Sequence, residues 1–250
     1  MKRKQWYAIA AALTCLPLAW LALEYAFAYR DEDYPDCTAR TPSILLELKQ
    51  VVGLQRFYSE MGQDIWVIGK VFPGVEDAYF VDIGCGDGTE ASNSKALEEL
   101  GWTGVAVDPF PTNWDDRKCL VLEEVVYSTQ GEVVTFRKAG LLGGIDKHID
   151  AWREEVVSQP LVEFTTTTIG DVLERANAPS FIHYMSLDVE GAEYEVLRVF
   201  PFDKYRVGAL TVEHNLEEPK RQQIRDLLEA NGYRFVKQQV VDDWYVYDGE

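Results

Sequence analysis

The sequence predicts an α/β domain with a doubly wound, mostly parallel sheet and an antiparallel edge, preceded by an N-terminal transmembrane helix. Three observations support this fold class. Short apolar strands alternate with helices through most of the chain, which is the pattern of a parallel sheet covered by helices. The length of 250 residues suits one such domain. An uncharged stretch near the N-terminus has the length needed to cross a bilayer.

The composition excludes several classes of protein. The chain has 47% hydrophobic and 26% charged residues, which is typical of a folded globular protein. Its formal net charge is −18, and its basic residues cluster only at the N-terminus, so the sequence argues against binding to nucleic acid. Four cysteines are too few for a scaffold built from disulfides.

Residues 1–30 are interpreted as a membrane anchor. Residues 6–23 carry no charge and as a helix would be about 27 Å long, close to the ~30 Å core of a bilayer. Basic residues precede this stretch and acidic residues follow it, so we expect a cytosolic N-terminus. A signal peptide cleaved near residues 26–28, followed by secretion, is the alternative, and a buried N-terminal helix is a third interpretation. Residues 31–42 then form a stem, and residues 43–250 form the domain.

Within the domain the strand and helix signals follow each other in order. A helix that begins near Ser43 and stops at Gly53 comes first. The predicted strands cover residues 78–83, 104–107, 162–165, 181–187, 207–212, 233–237 and 240–247. The predicted helices cover residues 89–100, 168–177 and 217–230, with a further helix that ends near residue 200. Residues 120–127 and 132–137 flank a turn and are expected to form a hairpin.

A glycine-rich turn after the first strand predicts a site for a nucleotide-bearing ligand. Residues 82–88 read Asp-Ile-Gly-Cys-Gly-Asp-Gly, and Asp108 follows at the tip of the next strand. Glycines let the backbone approach a ligand closely, and the start of a helix offers free N–H groups. An acid at the next strand end can accept both ribose hydroxyls. The G-x-G-x-G spacing and the acids Asp82 and Asp87 weigh against the pyrophosphate of NAD and favour the cationic S-adenosylmethionine.

Acidic residues also end two later strands, and they are candidates for catalysis. Asp188 and Glu190 follow one apolar strand, and the next strand closes with Glu213, His214 and Asn215. A histidine titrates near working pH, so His214 is the first choice for removing a proton from an acceptor hydroxyl. Glu190 is the second choice, and orienting a loop is the alternative role of His214. Mg²⁺ is a further hypothesis, with Asp188, Glu213 and Asn215 as its oxygen ligands.

Five motifs together resemble the FkbM family of S-adenosylmethionine-dependent methyltransferases. They are YSEMGQD at 58–64, FVDIGCGDG at 80–88, VDP at 107–109, SLDVEGAE at 186–193 and VEHN at 212–215. They stand in the family's order between about residues 59 and 247. The resemblance implies a class I methyltransferase (Rossmann-like) fold, whose seven-stranded sheet contains one antiparallel strand. It also implies methyl transfer to oxygen, commonly a sugar hydroxyl of a glycan or glycoconjugate.

The resemblance further implies roles for individual residues. The methyl donor would be surrounded by Gln63, Asp64, Asp82, Gly84, Cys85, Gly86, Asp87, Gly88 and Asp108. The acceptor would face Asp188, Glu190, His214 and Asn215. Cys85 stands where the family commonly has a small residue, often alanine, and this departure leaves the donor assignment intact.

Other functions and features stay open at this stage. A membrane-tethered binding module that kept the fold is one alternative, and an NAD-dependent sugar oxidoreductase is another. A cytosolic N-terminus would place the domain in the Golgi or ER lumen, where Cys37 and Cys119 either pair or remain free thiols. Acceptor specificity is expected in residues 138–160, whose glycines suggest a mobile loop. His183 is expected to be a hydrogen-bonded core residue, and His148 a residue of a surface loop.

Overall fold

The computed structural model describes residues 57–249 of the chain. The predicted anchor at residues 1–30, the stem at residues 31–42 and the helix expected from Ser43 lie outside the described residues. Within residues 57–249, no helix combines the length and the apolar character needed to cross a membrane.

The described residues form two β-sheets. In chain order the strands are β1 (Tyr79–Ile83), β2 (Thr103–Val107), β3 (Leu120–Leu122), β4 (Val125–Val126), β5 (Val133–Arg137), β6 (Gly144–Ile145), β7 (Leu161–Thr167), β8 (Phe181–Leu187), β9 (Arg206–Glu213), β10 (Tyr233–Gln239) and β11 (Asp242–Tyr247). The main sheet has seven strands in the order β10-β11-β9-β8-β1-β2-β3. Strand β11 runs antiparallel to both of its neighbours, whereas the pairs from β9 to β3 are parallel. The expected seven-stranded sheet with one antiparallel strand is therefore confirmed.

The second sheet has the order β4-β7-β5-β6 and corrects the predicted hairpin. Residues 120–127 do not pair with residues 132–137. Strand β3 instead extends the main sheet beside β2, and β4 pairs with β7. Strand β5 pairs antiparallel with β7, which follows it later in the chain. Residues 120–127 are thus divided between two sheets, and Glu123 and Glu124 mark the break between the two apolar stretches that the sequence predicted as one strand.

Six short helices connect these strands within the described residues. They are α1 (Gln63–Trp66), which continues as a π-helix over Val67–Val71, α2 (Lys95–Glu99), α3 (Arg153–Val156), α4 (Ile169–Arg175), α5 (Glu193–Leu197) and α6 (Glu218–Ala230). The prediction of a helix over residues 89–100 is wrong in its first half. Asp87 accepts the backbone N–H groups of Thr89 and Glu90, and Ser92 Oγ accepts that of Lys95, so turns replace the first helical residues.

The hydrophobic core lies between the main sheet and the helices that pack on it. Strands β1 and β8 are buried along almost their whole length, which explains why they read as continuous apolar runs. Helices α4, α5 and α6 add the fully buried Leu173, Val196 and Leu228 to the same cluster. Burial of each such side chain contributes roughly 1.5–3 kcal/mol to stability. This core holds the carboxyl ends of the central strands in fixed register.

Candidate active site

The candidate site is built where the central parallel strands end. Strand β1 lies between β2 and β8, so the segments that follow these three strands meet at one edge of the sheet. The backbone N–H of Gly84 donates to the carbonyl of Val107 at 2.8 Å. On the other side, the N–H of Asp188 donates to the carbonyl of Ile83 at 2.9 Å. The first glycine of the turn is therefore fixed between the two neighbouring strand ends.

Two glycines of this turn cannot be replaced without a collision. At Gly84, where φ is +81°, an added Cβ would lie 1.5 Å from the carbonyl oxygen of Asp188. At Gly88 it would lie 2.5 Å from the carbonyl oxygen of Asn113. The turn therefore needs glycine for close approach as well as for backbone conformation. Cys85 between them is buried, and its burial raises the pKa of the thiol well above its ordinary value.

Asp108 supports the turn from the end of β2, as its predicted position requires. Its Oδ2 accepts the N–H of Gly86 at 3.2 Å, and its Oδ1 accepts the N–H of Phe110 at 2.7 Å. Burial raises the pKa of this carboxyl above its ordinary value. Each carboxylate oxygen has more than one lone pair, so Asp108 can still accept hydroxyl groups of a ligand.

Asp82 lies inside β1 and is the buried acid of the glycine motif. Its Oδ2 accepts the hydroxyl of Ser94 at 2.6 Å, and the side chain of Arg117 donates to the same hydroxyl at 3.0 Å. Burial raises the pKa of Asp82 to about 6, although the Ser94 hydrogen bond and the Arg117 charge oppose the shift. A cation that approached this carboxylate would favour its ionised form.

Arg117 organises the turn, and no local pattern in the sequence identified it. Its side chain is buried and pairs with Glu98, while Nη1 donates to the carbonyl of Gly88 at 2.8 Å. The guanidinium also lies 4.3 Å from the centre of the Trp114 ring, whose Nε1 donates to the carbonyl of Gly86 at 3.0 Å. This arrangement depends on residues that meet only in the folded chain. Sequence spacing therefore carried no signal for it.

Asp87 has a structural place in the turn. Its carboxylate accepts two backbone N–H groups from the residues after Gly88 and, from the segment after β2, the hydroxyl of Thr112 and the amide of Asn113. These hydrogen bonds outweigh the effect of burial and lower the pKa of Asp87. The carboxylate of Asp87 is thus used within the turn, and its contact with the methyl donor stays a prediction.

Gln63 and Asp64 lie upstream of the main sheet on helix α1. Asp64 is fully buried, and its carboxylate accepts backbone N–H groups of Tyr58 and Ser59 and pairs with the Ser59 hydroxyl. Gln63 Nε2 donates to Asp242 at 2.9 Å. A bridge between Ser59 and Ala91 brings this segment beside the residues that follow the glycine turn. The structure thus places the pair at the border of the site, with Asp64 holding its own loop.

Asn93 is a second residue that the sequence analysis missed. Its Nδ2 donates to Ser186 Oγ at 2.8 Å, and Ser186 lies opposite Asp82 in the paired strands. Its Oδ1 is buried and has no hydrogen-bond partner among the described residues. An acceptor without a partner beside the acid of the glycine motif is a candidate contact for a ligand's N–H groups.

Three carboxylates converge after strands β8 and β9, and we call them the acid cluster. Asp188, Glu190 and Glu213 each offer one oxygen, and these oxygens lie within 4.8 Å of one another. Glu190 is 6% exposed and Glu213 is 7% exposed. Burial raises the pKa of all three carboxyl groups. The charge of Asp188 raises the pKa of Glu190 and Glu213 further, whereas a hydrogen bond with Glu213 opposes the shift of Asp188. The structure therefore brings together the acids that the sequence placed at separate strand ends.

Local structure holds the acid cluster in place. Glu193, in the first turn of α5, accepts the N–H groups of Val189 and Gly191 at 3.0 and 2.9 Å. Glu190 has φ +56°, which is an unusual backbone conformation for a residue other than glycine. Asn215 donates from Nδ2 to Glu190 Oε2 at 3.2 Å. Asn215 thus orients Glu190, and its place among the oxygen ligands of the Mg²⁺ hypothesis stays a prediction.

The side chain of His214 contacts Leu216 and Asp243 instead of the acid cluster. Its ring is buried, and Nδ1 accepts the N–H of Leu216 at 3.0 Å. Nε2 lies 3.4 Å from an oxygen of Asp243, which also pairs with Arg221 at 2.8 Å. A ring that accepts a hydrogen bond at Nδ1 in its neutral form carries its proton at Nε2. The geometry therefore favours the positioning role of His214 over its role as a base.

Residues 138–160, which the sequence predicts to form a mobile loop, contain regular secondary structure. They contain a 3₁₀ turn at Gly140–Leu142, strand β6 and helix α3. A Cβ added at Gly86 would lie 3.2 Å from the side chain of Leu141. Gly144 lies against the Cβ of Glu190. This segment therefore reaches from the glycine turn to the acid cluster.

The remaining candidates lie outside this arrangement. His183 accepts the N–H of Tyr79 at 3.2 Å and packs against aromatic rings, so it is hydrogen-bonded as predicted, but it is only partly buried and is not a core residue. His148 is half-buried and hydrogen-bonds the Tyr127 hydroxyl at 2.9 Å, so it is less exposed than expected. Cys119 has a free thiol, and the residue suggested as its partner, Cys37, lies outside the described residues.

Comparison with known protein families gives a match. Residues 82–235 match the family model described as the methyltransferase FkbM domain. The match covers more than half of the chain and includes the glycine turn, Asp108, the acid cluster and strand β9. No curated protein matches the chain significantly.

Proposed function

This chain belongs to the FkbM methyltransferase domain family, and we propose that it is an S-adenosylmethionine-dependent O-methyltransferase acting on a sugar hydroxyl of a glycan or glycoconjugate. One observation carries the proposal. The glycine turn and the acid cluster are in direct contact, because Gly84 packs against the carbonyl of Asp188. A donor on the turn and an acceptor at the acids would therefore be neighbours.

The residues of the glycine turn fit the proposed donor. Glycine at positions 84 and 88 lets the turn pack against the carbonyls of Asp188 and Asn113, which fixes the backbone of the turn beside the proposed donor. Asp82 and the unpartnered Oδ1 of Asn93 are suited to a positively charged amino group, and Asp108 to ribose hydroxyls. When bound, S-adenosylmethionine supplies a methyl group attached to a positively charged sulfur atom. A site lined by acids attracts such a cation and would repel a pyrophosphate.

The chain's own residues then align and deprotonate the acceptor. Transfer forms the bond between acceptor oxygen and methyl carbon as the carbon–sulfur bond breaks, so the oxygen must lose its proton. We assign this proton to Glu190, which Asn215 orients by a hydrogen bond. Burial and the charge of Asp188 raise the pKa of Glu190 to about 9, so Glu190 accepts this proton from its ionised form, which a cationic donor in the site would favour.

The acceptor is proposed to lie under residues 138–145. Leu141 is 63% exposed and stands beside the glycine turn, which makes it available to a bound substrate. Phe110, two residues after Asp108, packs with Phe136 and Phe164, and of these three rings Phe110 and Phe164 are partly exposed. Aromatic rings can pack against the apolar face of a sugar, while carboxylates accept its hydroxyls.

The experiment is transfer of a radiolabelled methyl group from S-adenosylmethionine to a panel of acceptors. The panel contains free monosaccharides, glycans on glycoproteins and hydroxylated molecules that are not sugars. Label that appears on a glycan and withstands mild base, as a methyl ether does, supports the proposal. Donor binding without transfer to any sugar, or NAD-dependent oxidation of a sugar, would contradict it.

A further inference from the structure

We infer that Asp188 and Glu213 bind a divalent metal cation, with Glu190 beside it as a third carboxylate. The catalytic use of this cation rests on the proposed function, but its binding does not. The inference keeps Asp188 and Glu213 from the Mg²⁺ hypothesis of the sequence and adds Glu190, whose Oε2 accepts the amide of Asn215.

The distances between the carboxylates match the coordination shell of a small cation. With metal–oxygen bonds of about 2.1 Å, neighbouring ligands of an octahedral Mg²⁺ lie roughly 3 Å apart and opposite ligands about 4.2 Å apart. The three oxygens of the acid cluster lie within 4.8 Å of one another. One cation can therefore contact Asp188 and Glu213 together after only small side-chain movements.

One ligand atom in the cluster is left without a partner. Glu213 is 7% exposed, and its Oε2 forms no hydrogen bond with any of the described residues. Residues 57–249 contain no lysine or arginine that forms an ion pair with Asp188, Glu190 or Glu213. Buried carboxylates without positive partners are strongly unfavourable, so this group requires protons or a cation.

The chemistry of the ligands favours Mg²⁺ or Mn²⁺. Both metals prefer carboxylate and water oxygens, and Mg²⁺ is usually held by one or two carboxylates while it retains several waters. Two acids at the ends of neighbouring strands meet that requirement. A retained water can be exchanged for the hydroxyl of an acceptor, which the cation would then make more acidic. The proton from that hydroxyl goes to Glu190, which Asn215 holds beside the cation.

The test is binding of Mn²⁺ to the full-length chain in detergent, with no donor or acceptor present. Calorimetry and the melting temperature are measured for the wild-type chain and for E213Q, D188N and E163Q. Glu163 is exposed on the second sheet, so E163Q is a matched control substitution. We expect one bound Mn²⁺ and a rise in melting temperature for wild type and E163Q. E213Q and D188N should each weaken Mn²⁺ binding at least about tenfold. Loss of a residue that only supports a metal ligand already weakens metal binding by about 10- to 100-fold.

The variants also report whether they are folded. E213Q replaces a buried carboxyl, which has no basic partner among residues 57–249, with a neutral amide of the same shape, so its metal-free melting temperature should equal that of wild type or exceed it. Absence of Mn²⁺ binding by wild type, or equal binding by wild type and E213Q, would overturn the inference. A parallel titration with S-adenosylmethionine in EDTA separates the two claims. Donor binding without Mn²⁺ binding refutes only the cation site, and Mn²⁺ binding without donor binding refutes only the methyltransferase proposal.

Discussion

At the scale of single residues, Glu190 and His214 are the two candidates for the base, and their substitution is expected to lower kcat by different amounts. Glu190 is in the acid cluster beside the glycine turn, whereas both nitrogens of His214 face other groups of the protein. We expect E190Q to lower kcat by about 10²- to 10⁴-fold, the usual effect of losing a general base. His214→Gln should cost less than about tenfold, because it removes only a positioning contact. Turnover by both variants under saturating donor checks this, and the reverse order would restore His214 as the base.

Asp82 gives a prediction for the dependence of donor affinity on pH. Its pKa is raised to about 6 by burial, against the opposing effects of Ser94 and Arg117, and the charge of Asp108 raises it further. Because the folded-state pKa lies above the ordinary value, ionisation of Asp82 costs stability as pH rises through 6. The cationic donor requires the ionised form, so its affinity should fall about tenfold per pH unit below pH 6.

Calorimetric titration with donor between pH 5 and pH 8 measures this dependence. D82N should bind weakly at every pH and lose the slope, since it has no proton to bind. An unchanged slope in D82N would show that another group controls the pH dependence of donor binding.

At the scale of secondary structure, the segment from Gly140 to Gly144 is expected to select the acceptor. Leu141 lies beside the glycine turn and is largely exposed, so its loss should not unfold the domain. Loss of roughly 1 kcal/mol of apolar contact in L141A would raise the acceptor KM about fivefold. The donor Kd should stay within about twofold. V157A, which alters another exposed apolar residue of region 138–160, is the control, and equal effects in both variants would contradict this role.

The strands that could be predicted from the sequence are those whose burial gives them a continuous apolar sequence. Strands β1, β2, β8 and β9 appear within one residue of their predicted ends, because continuous burial makes them apolar throughout. The hairpin failed because the partner of β5 is β7, and pairing between distant strands leaves no local signal. Arg117 was missed for the same reason, since it meets Gly88 and Ser94 only in the folded chain.

The sequence predicted which strand ends form the site, but it did not predict the directions in which their side chains point. The sequence placed Asp188, Glu190 and Glu213 at one edge of the sheet, and the structure brings these three acids together. Glu213 is the last residue of β9 and His214 follows it, yet Glu213 joins the acid cluster while His214 faces Asp243. Successive side chains of an extended chain point to opposite faces of a sheet, which separates these two neighbours. Positive φ angles at Asn215 and Leu216 then bend the chain, and no pattern of residue types predicted that bend.

At the scale of the whole molecule, the sequence predicts that residues 6–23 anchor the domain to a membrane. The full chain should then resist extraction from membranes at alkaline pH. An arginine at the centre of this stretch, as in L16R, costs about 2.5–3.5 kcal/mol on insertion and should release part of the protein. The conservative L16V serves as the control. Complete extraction of the wild-type chain, or a mature protein that starts near residue 29, would support a cleaved signal peptide instead.

Calorimetric titration of the full-length chain with S-adenosylmethionine, its demethylated product and NAD tests the central claim most directly. The contact between the glycine turn and the acid cluster predicts micromolar binding of both sulfur ligands and no response to NAD. D108N should weaken that binding, because Asp108 supports the turn and faces the proposed ribose site. A folded chain that binds neither sulfur ligand would contradict the methyltransferase proposal and favour a binding module that has kept only the fold.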